Sequence, residues 1–254
     1  MYTPFDITDK IVVVTGGAQG IGREISNSFL KNGAKMVTIV DYQKEKGEAT
    51  VKEMNEKYGE GKAIFYYADV TKHLDEVEMH FNATFGSPDV LVNNAGVMRE
   101  DDATLTIETN LLATILWSMR FYDATRKDKG GKGGTVINIA DEYSYMTDAF
   151  LPFFKAAEHG ILGFTETMGH EYIYRDSGVR MITVCPSFTY TEMTSGQMTT
   201  DEYADVFAKY AEAFTWQTPE AVGDAVVEIF KTAESGSKKA FIYLPTLMSS
   251  TSIA

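Results

Sequence analysis

Thr15-Gly16-Gly17-Ala18-Gln19-Gly20-Ile21-Gly22 stands directly after the apolar run Ile11-Val12-Val13-Val14 and directly before a helical pattern from Arg23 to Leu30. A strand, a glycine-rich turn and a helix start in that order make a cradle for a pyrophosphate. Glycines permit a tight turn and close backbone approach, while the free N–H groups and dipole of the helix start attract phosphate. The expected cofactor-binding loop is Gly16, Gln19, Gly20, Ile21 and Gly22. Asp41 closes the next apolar run, nineteen residues after Gly22, where a carboxylate accepts from adenosine ribose hydroxyls and repels a 2′-phosphate. The cofactor this pattern implies is NAD rather than NADP.

Further runs of strand length follow at Met36-Val37-Thr38-Ile39-Val40, Ala63-Ile64-Phe65-Tyr66-Tyr67, Val90-Leu91-Val92, Thr135-Val136-Ile137-Asn138-Ile139, Met181-Ile182-Thr183-Val184 and Ala240-Phe241-Ile242-Tyr243-Leu244. These are β-branched and nearly unbroken by polar residues, as parallel strands covered on both faces are, and the stretches between them suit crossover helices. The expected fold class is α/β: a single Rossmann-type, doubly wound, parallel seven-stranded sheet with helices on both faces and a ligand crevice beyond the carboxyl ends of the strands. No Pro/Ser-rich linker interrupts the chain, so residues 1–254 are expected to form one NAD-binding domain. From about 189 to 218 the strand rhythm lapses into a polar and aromatic segment, expected to overhang the crevice as a lid. The tail after Leu244 lacks periodicity and is expected on the surface or against a second subunit.

The chain carries 23 Lys+Arg against 36 Asp+Glu, a formal net charge of −13, which disfavours nucleic acid and anionic membranes as partners. Cys185 is the only thiol, and His73, His80, His159 and His170 show no ligand spacing, so neither a disulfide nor a metal site is expected. Acidic residues near the start and the lack of long apolar runs predict no signal peptide and no membrane span, hence a cytoplasmic protein.

The glycine-rich stretch, Ala68-Asp69-Val70-Thr71 and Asn93-Asn94-Ala95-Gly96 fall in order at three successive strand ends. Together they resemble the short-chain dehydrogenase/reductase family over nearly the whole chain. Glu45-Lys46-Gly47-Glu48-Ala49 and Cys185-Pro186-Ser187-Phe188-Thr189 are similar, more particularly, to the branch of insect alcohol dehydrogenase and 15-hydroxyprostaglandin dehydrogenase. The resemblance implies that Asp69 and Val70 flank the adenine and that Asn93, Ala95 and Gly96 line the cofactor. It also makes Asn110 the family's active-site asparagine and puts Pro186, Thr189 and Thr191 at the nicotinamide end, with Ser187 in place of a glycine. Family members pair two long helices across a two-fold axis. The helices expected here over about 103–126 and 154–175 carry broad apolar faces, which implies a homodimer or homotetramer.

The family's Ser, Tyr and Lys have no counterparts. Anchoring the helix on Ala157-Glu158-His159-Gly160-Ile161-Leu162-Gly163-Phe164 puts Phe154 at the tyrosine position, Glu158 at the lysine position and Asp141 at the serine position, thirteen residues before Phe154. Sliding the register to use Lys155 would turn the helix about 100° from the site. Phe154 has no proton to share, and ionised Asp141 and Glu158 would oppose an alkoxide. The resulting expectation is an NAD(H)-binding pseudoenzyme, in which Glu158 pairs with Lys155 or water if its role has simply drifted. The competing readings are a redox-neutral enzyme (lyase, isomerase or cyclase) with Asp141 and Glu158 as acid/base, and a residual alcohol dehydrogenase using Tyr143, Tyr145 or Tyr190. Without a lysine, none of those phenols has an evident reason to ionise. Met193, Met198, Phe207, Tyr210, Phe214 and Trp216 could line a pocket for a small lipophilic ligand, helix packing being their alternative use; Cys185 reads as a buried small hydrophobe.

Overall fold

The computed structural model describes residues 5–84, 86–146, 149–195, 199, 201–241 and 250–252. Among these, β1 (Ile11–Thr15), β2 (Met36–Asp41), β3 (Ala63–Tyr67), β4 (Val90–Asn93), β5 (Gly134–Ile139), β6 (Val179–Pro186), β7 (Lys238–Phe241) and β8 (Ser250–Ser252) form one sheet in the order 3-2-1-4-5-6-7-8. All neighbouring strands are parallel except β7 and β8. The helices are α1 (Gly20–Lys31), α2 (Lys44–Tyr58), α3 (Leu74–Thr84), α4 (Ala103–Thr106), α5 (Thr114–Thr125), α6 (Pro152–Met168), α7 (Glu171–Ser177), α8 (Glu192–Ser195), α9 (Ala204–Ala211) and α10 (Pro219–Thr232). A π-helical stretch, Ile107–Ala113, joins α4 to α5.

Strand alternation sends Val12 and Val14 to one face and Val13 to the other. The first face packs on Ile25 and Phe29 of α1 and Val226 and Phe230 of α10. The second packs on Phe81 of α3 and Trp117 and Phe121 of α5. Strand order reverses between β1 and β4, so their carboxyl ends open the crevice in which such sheets bind ligands.

Four expectations change. The seventh strand covers Lys238–Phe241; Ile242, Tyr243 and Leu244 lie outside the described residues. The aperiodic tail contributes the antiparallel strand β8, Ser-Thr-Ser, whose polar residues give no apolar alternation to read. The long helix expected over 154–175 is broken at Gly169, where a Cβ would come within 2.4 Å of the Gly236 backbone nitrogen. The expected lid holds α8, a short 3-10 turn and α9, and its base is closed by a bridge between Thr189 and Gln217. No helix among the described residues is long and apolar enough to cross a membrane, and they contain no group of three or more acidic, His or Cys residues that could hold a metal ion.

Candidate functional site

The cradle is fixed by backbone. Gly16 (φ +64°) and Gly20 (φ +55°) take left-handed conformations that suit glycine. A Cβ on Gly22 would lie 2.3 Å from the Gly16 carbonyl oxygen and 2.5 Å from Asn94 Nδ2, so no other residue fits. Gln19 caps α1, and Ile21 reaches the cavity described below. Thr15 Oγ1 accepts from the backbone N–H groups of Asn94 (3.0 Å) and Ala95 (3.1 Å), and Asn94 Nδ2 donates to the carbonyls of Thr15 and Gly16. Thr15 and Asn94 therefore lock two strand ends together, a role the motif alone did not separate from ligand contact.

Asp41 ends β2 beside this loop, its carboxylate accepting from Ala18 N at 3.0 Å and Gln43 N at 2.9 Å. Each oxygen keeps capacity for a further donor such as a ribose hydroxyl. Asp69 accepts from Thr71 and from the Lys72 ammonium; against the opposing effect of burial, these donors lower its pKa to about 2. The Val70 carbonyl accepts from Trp117 Nε1 at 2.9 Å.

Asn93 does not face the crevice. Its amide donates to Ser118 Oγ at 2.9 Å and Asn138 Oδ1 at 2.8 Å, and Asn138 reaches Thr165 at 2.8 Å. Asn93 is the last residue of β4, and strand alternation turns its side chain into a buried polar network under the site floor, leaving Asn94 on the crevice side. On β6 and beyond, Pro186 ends the strand, Thr189 Oγ1 donates to the Ser187 carbonyl (2.8 Å), and Thr191 is joined to Thr194. The ammonium of Lys46 on α2 donates to Gln19 Oε1 and to Glu192 Oε2, tying the glycine loop to α8.

At the chemical end, Asn110 sits inside the π-helical stretch, its side chain accepting from Val97 N (2.8 Å) and donating to Val97 O (2.9 Å). Such wide turns often mark functional positions. Asp141 caps a short 3-10 turn by accepting from Tyr143 N at 3.0 Å. The two ends of α6 are set by unlike devices. Leu151 enters it in a left-handed conformation (φ +54°) ahead of Pro152, and the Glu100 carboxylate accepts from Phe153 N (3.1 Å) and Phe154 N (2.9 Å). This long-range cap, which only the tertiary fold reveals, satisfies orphan donors and complements the helix dipole.

The helix so placed brings Glu158 against Asp141. Burial is the main cause of Glu158's strongly raised pKa, and Asp141 adds like-charge repulsion; the Asn110 side chain and the Asp141 N–H pull it back only in part. Glu158 Oε2 has no hydrogen-bond partner among the described residues. Asp141 is pushed up to about 7, by burial first and Glu142 second, against the Tyr143 N–H. Glu158 therefore keeps its proton at neutral pH while Asp141 titrates there and is mainly ionised above pH 7, which corrects the picture of two anions opposing an alkoxide to one of a single titrating carboxylate beside a neutral carboxyl. Lys155 is not the partner of Glu158: its ammonium lies 4.9 Å from the centre of the Tyr143 ring. Tyr143 thus has a cation near it, contrary to expectation, whereas burial pushes the Tyr145 phenol up, and Tyr190 is exposed and stacked on Trp216.

A cavity of about 80 Å³ joins these parts, bordered by Ile21, Met98, Asp141, Glu142, Tyr143, Phe154, Pro186 to Thr189, Thr191, Met193 and Phe207 among others. Of the aromatic and Met residues expected around a pocket, Phe207 and Met193 line it. Tyr210, Phe214 and Trp216 instead pack in the cluster behind, and Met198 lies outside the described residues. Cys185 is buried, as expected, beside Ala140 and Ile161.

The family model described as short chain dehydrogenase matches residues 10–202. The chain is 32% identical over 235 residues to 15-hydroxyprostaglandin dehydrogenase [NAD(+)] of Rattus norvegicus, covering 89% of this chain and 87% of that protein. It is 27% identical over 237 residues to fat body protein 2 of Drosophila melanogaster, covering 92% of each. Among solved structures it resembles L-sorbose reductase from Gluconobacter frateurii complexed with NADPH and L-sorbose (TM-score 0.79, 22% identity, 95% of this chain and 99% of that one). A short chain dehydrogenase from Burkholderia cenocepacia J2315 in complex with NADP aligns with TM-score 0.77 at 23% identity, over 93% and 97% of the two chains.

Proposed function

The chain belongs to the short chain dehydrogenase family, and we propose that it is a member that holds NAD(H) in a binding or scaffolding role without the family's hydride transfer to or from alcohols. The cradle fits the dinucleotide: Gly22 lets the start of α1 pack directly on the Gly16 carbonyl and Asn94, and the left-handed Gly16 and Gly20 carry the loop around to that helix start. In this reading Gly16, Gln19, Gly20, Ile21 and Gly22 hold the pyrophosphate, and Asp41 takes the adenosine ribose and disfavours a 2′-phosphate. Asp69 and Val70 flank the adenine, Ala95 and Gly96 line the cofactor, and Pro186, Thr189 and Thr191 hold the nicotinamide end. When bound, NAD supplies a hydride acceptor in its oxidised form and a donor in its reduced form.

The observation that carries the reading is the pair of half-buried Asp141 and buried Glu158, with buried Phe154 nearby. Carbonyl reduction by this family uses a phenol that lends its proton and an ammonium that lowers the phenol's pKa. A phenyl ring lends none, and a carboxyl at the ammonium's position shifts the field the opposite way. The test is to purify the protein, look for nicotinamide absorbance in the released ligand, and offer secondary alcohols with NAD⁺. Turnover in the ordinary range of ~1–10³ s⁻¹ would sink the reading.

A redox-neutral reaction is the second reading, because Asp141, with its pKa near 7, is suited to give and take a proton at neutral pH. Exposed Leu112 and Leu116 leave an apolar strip on the helix pair that family members use to dimerise, and this supports a homodimer or homotetramer.

A further inference from the structure

The cavity beside the carboxyl pair has a chemistry of its own. Tyr143, Phe154, Phe188 and Phe207 line it together with Asp141 and Glu142, and no Lys or Arg is among the described residues that do. The rings hold one another in place: Tyr143 stands edge-on to Phe154 at 6.3 Å and to Phe188 at 6.2 Å between centres. Behind Asp141, the buried Glu158 Oε2 has no hydrogen-bond partner among the described residues. The nearest cation of α6, Lys155, is engaged with Tyr143 and is not part of the lining.

Aromatic faces attract positive charge through their quadrupoles, and a carboxylate in the same wall accepts a charge-assisted hydrogen bond. Both effects strengthen where water is excluded. An anion meets the reverse, and a neutral alcohol obtains neither benefit in full. At about 80 Å³, the space is roughly half that of a cavity that takes benzene, which limits the entering group to a short aliphatic head. We propose that this cavity binds the ammonium head of a small aliphatic amine in preference to an alcohol, ketone or carboxylate. The proposal rests on the reading that the dinucleotide is held without turnover, and it moves no proton or hydride: the amine enters and leaves as its ammonium ion.

The experiment is a ligand-observed NMR titration of the NADH-saturated protein with propylammonium, 1-propanol and propionate, at about pH 7.5, where an alkylammonium stays protonated as lysine does. Propylammonium is expected to bind about tenfold more tightly than 1-propanol, with propionate weakest. Asp141→Asn should shrink that preference to about twofold. Glu142→Gln should shrink it less, and it serves as the second variant should Asp141→Asn fail to fold. Equal binding of ammonium and alcohol, propionate binding best, no binding of any probe, or an unchanged preference in a folded variant would each overturn the proposal. Failure of the underlying reading looks different: NADH would fail to saturate the protein before any probe is added, or its absorbance would change on adding one.

Discussion

The floor under the dinucleotide and the pocket beyond it are built differently. In the first, backbone does the positioning: left-handed Gly16 and Gly20, the Cβ-free contact at Gly22, and Thr15 Oγ1 receiving two N–H groups. Side chains appear there mainly to lock one loop to another. In the second, the frame is equally well fixed, by the Asn110 bonds to Val97 and the Glu100 cap on α6. The reactive positions, however, are side chains projecting from it, and those can change identity while the frame stands. A site made of backbone cannot lose its function without loss of the fold, whereas a site made of side chains can.

The largest effect that would break this comparison concerns chemistry. If the frame beyond the dinucleotide is intact, restoring Ser, Tyr and Lys together (D141S, F154Y and E158K) should raise NAD⁺-dependent oxidation of secondary alcohols by at least about 10²-fold. F154Y alone should do little, since its phenol would face carboxyl groups and no ammonium. Stopped-flow or steady-state absorbance of the nicotinamide decides it; activity from F154Y alone would show that the carboxyl pair does not oppose the reaction.

Next in size is stability. Asp141 has a folded-state pKa of about 7 against an ordinary value of 3.8, so between those values the folded protein binds more protons than the unfolded chain. Stability then falls as pH rises from about 4 to about 7, and the deficit is complete above the folded pKa. Asp141→Asn, which keeps an oxygen for the Tyr143 N–H, should raise the urea midpoint at pH 8 by the equivalent of about 2–4 kcal/mol and change it much less at pH 4. Equal gains at both pH values would mean that the side chain is solvated and the pocket less dry than its neighbours indicate.

On the dinucleotide side, Asp41→Ala should weaken NAD binding about tenfold by calorimetry and narrow the gap to NADP. An unchanged gap would remove Asp41 from ribose recognition and leave it only its loop-holding bonds. The smallest effect couples the two regions. The oxidised ring carries a positive charge that the reduced ring lacks, so ionising Asp141 nearby favours NAD⁺ alone, by of order 1 kcal/mol. The NAD⁺/NADH affinity ratio should climb several-fold as pH rises through about 7 and stay flat in Asp141→Asn.

The sequence was legible where one residue type had one use. The glycine spacing, the unbroken β-branched runs and the thirteen-residue interval between Asp141 and Phe154 each pointed to a definite place, and Asp141, Phe154 and Glu158 do meet around one site. It was illegible where the outcome depended on tertiary partners. The motif assigns Asn93 to the cofactor, yet strand alternation sends it inward and leaves Asn94 at the crevice. Glu100 caps a helix more than fifty residues away, and no local pattern announces it. Proximity in sequence offers Lys155, or else water, as a partner for a drifted Glu158, yet the helix turns Lys155 to Tyr143. Gly169 gave no sign that it ends a helix because another turn lies against it.

The bridge from Gln19 through Lys46 to Glu192 has a kinetic consequence. It joins the glycine loop, α2 and α8 at a single exposed ammonium, and a dinucleotide passing between them is expected to meet a contact that costs little to open. Exposed ion pairs weaken as salt shortens the screening length, which is already about 8 Å at physiological ionic strength. Release of NADH should accordingly quicken with added salt and in Glu192→Gln. In such a protein the time for which a dinucleotide is retained, more than how tightly it is held at equilibrium, would be set by a lysine that touches no part of the glycine cradle except its cap.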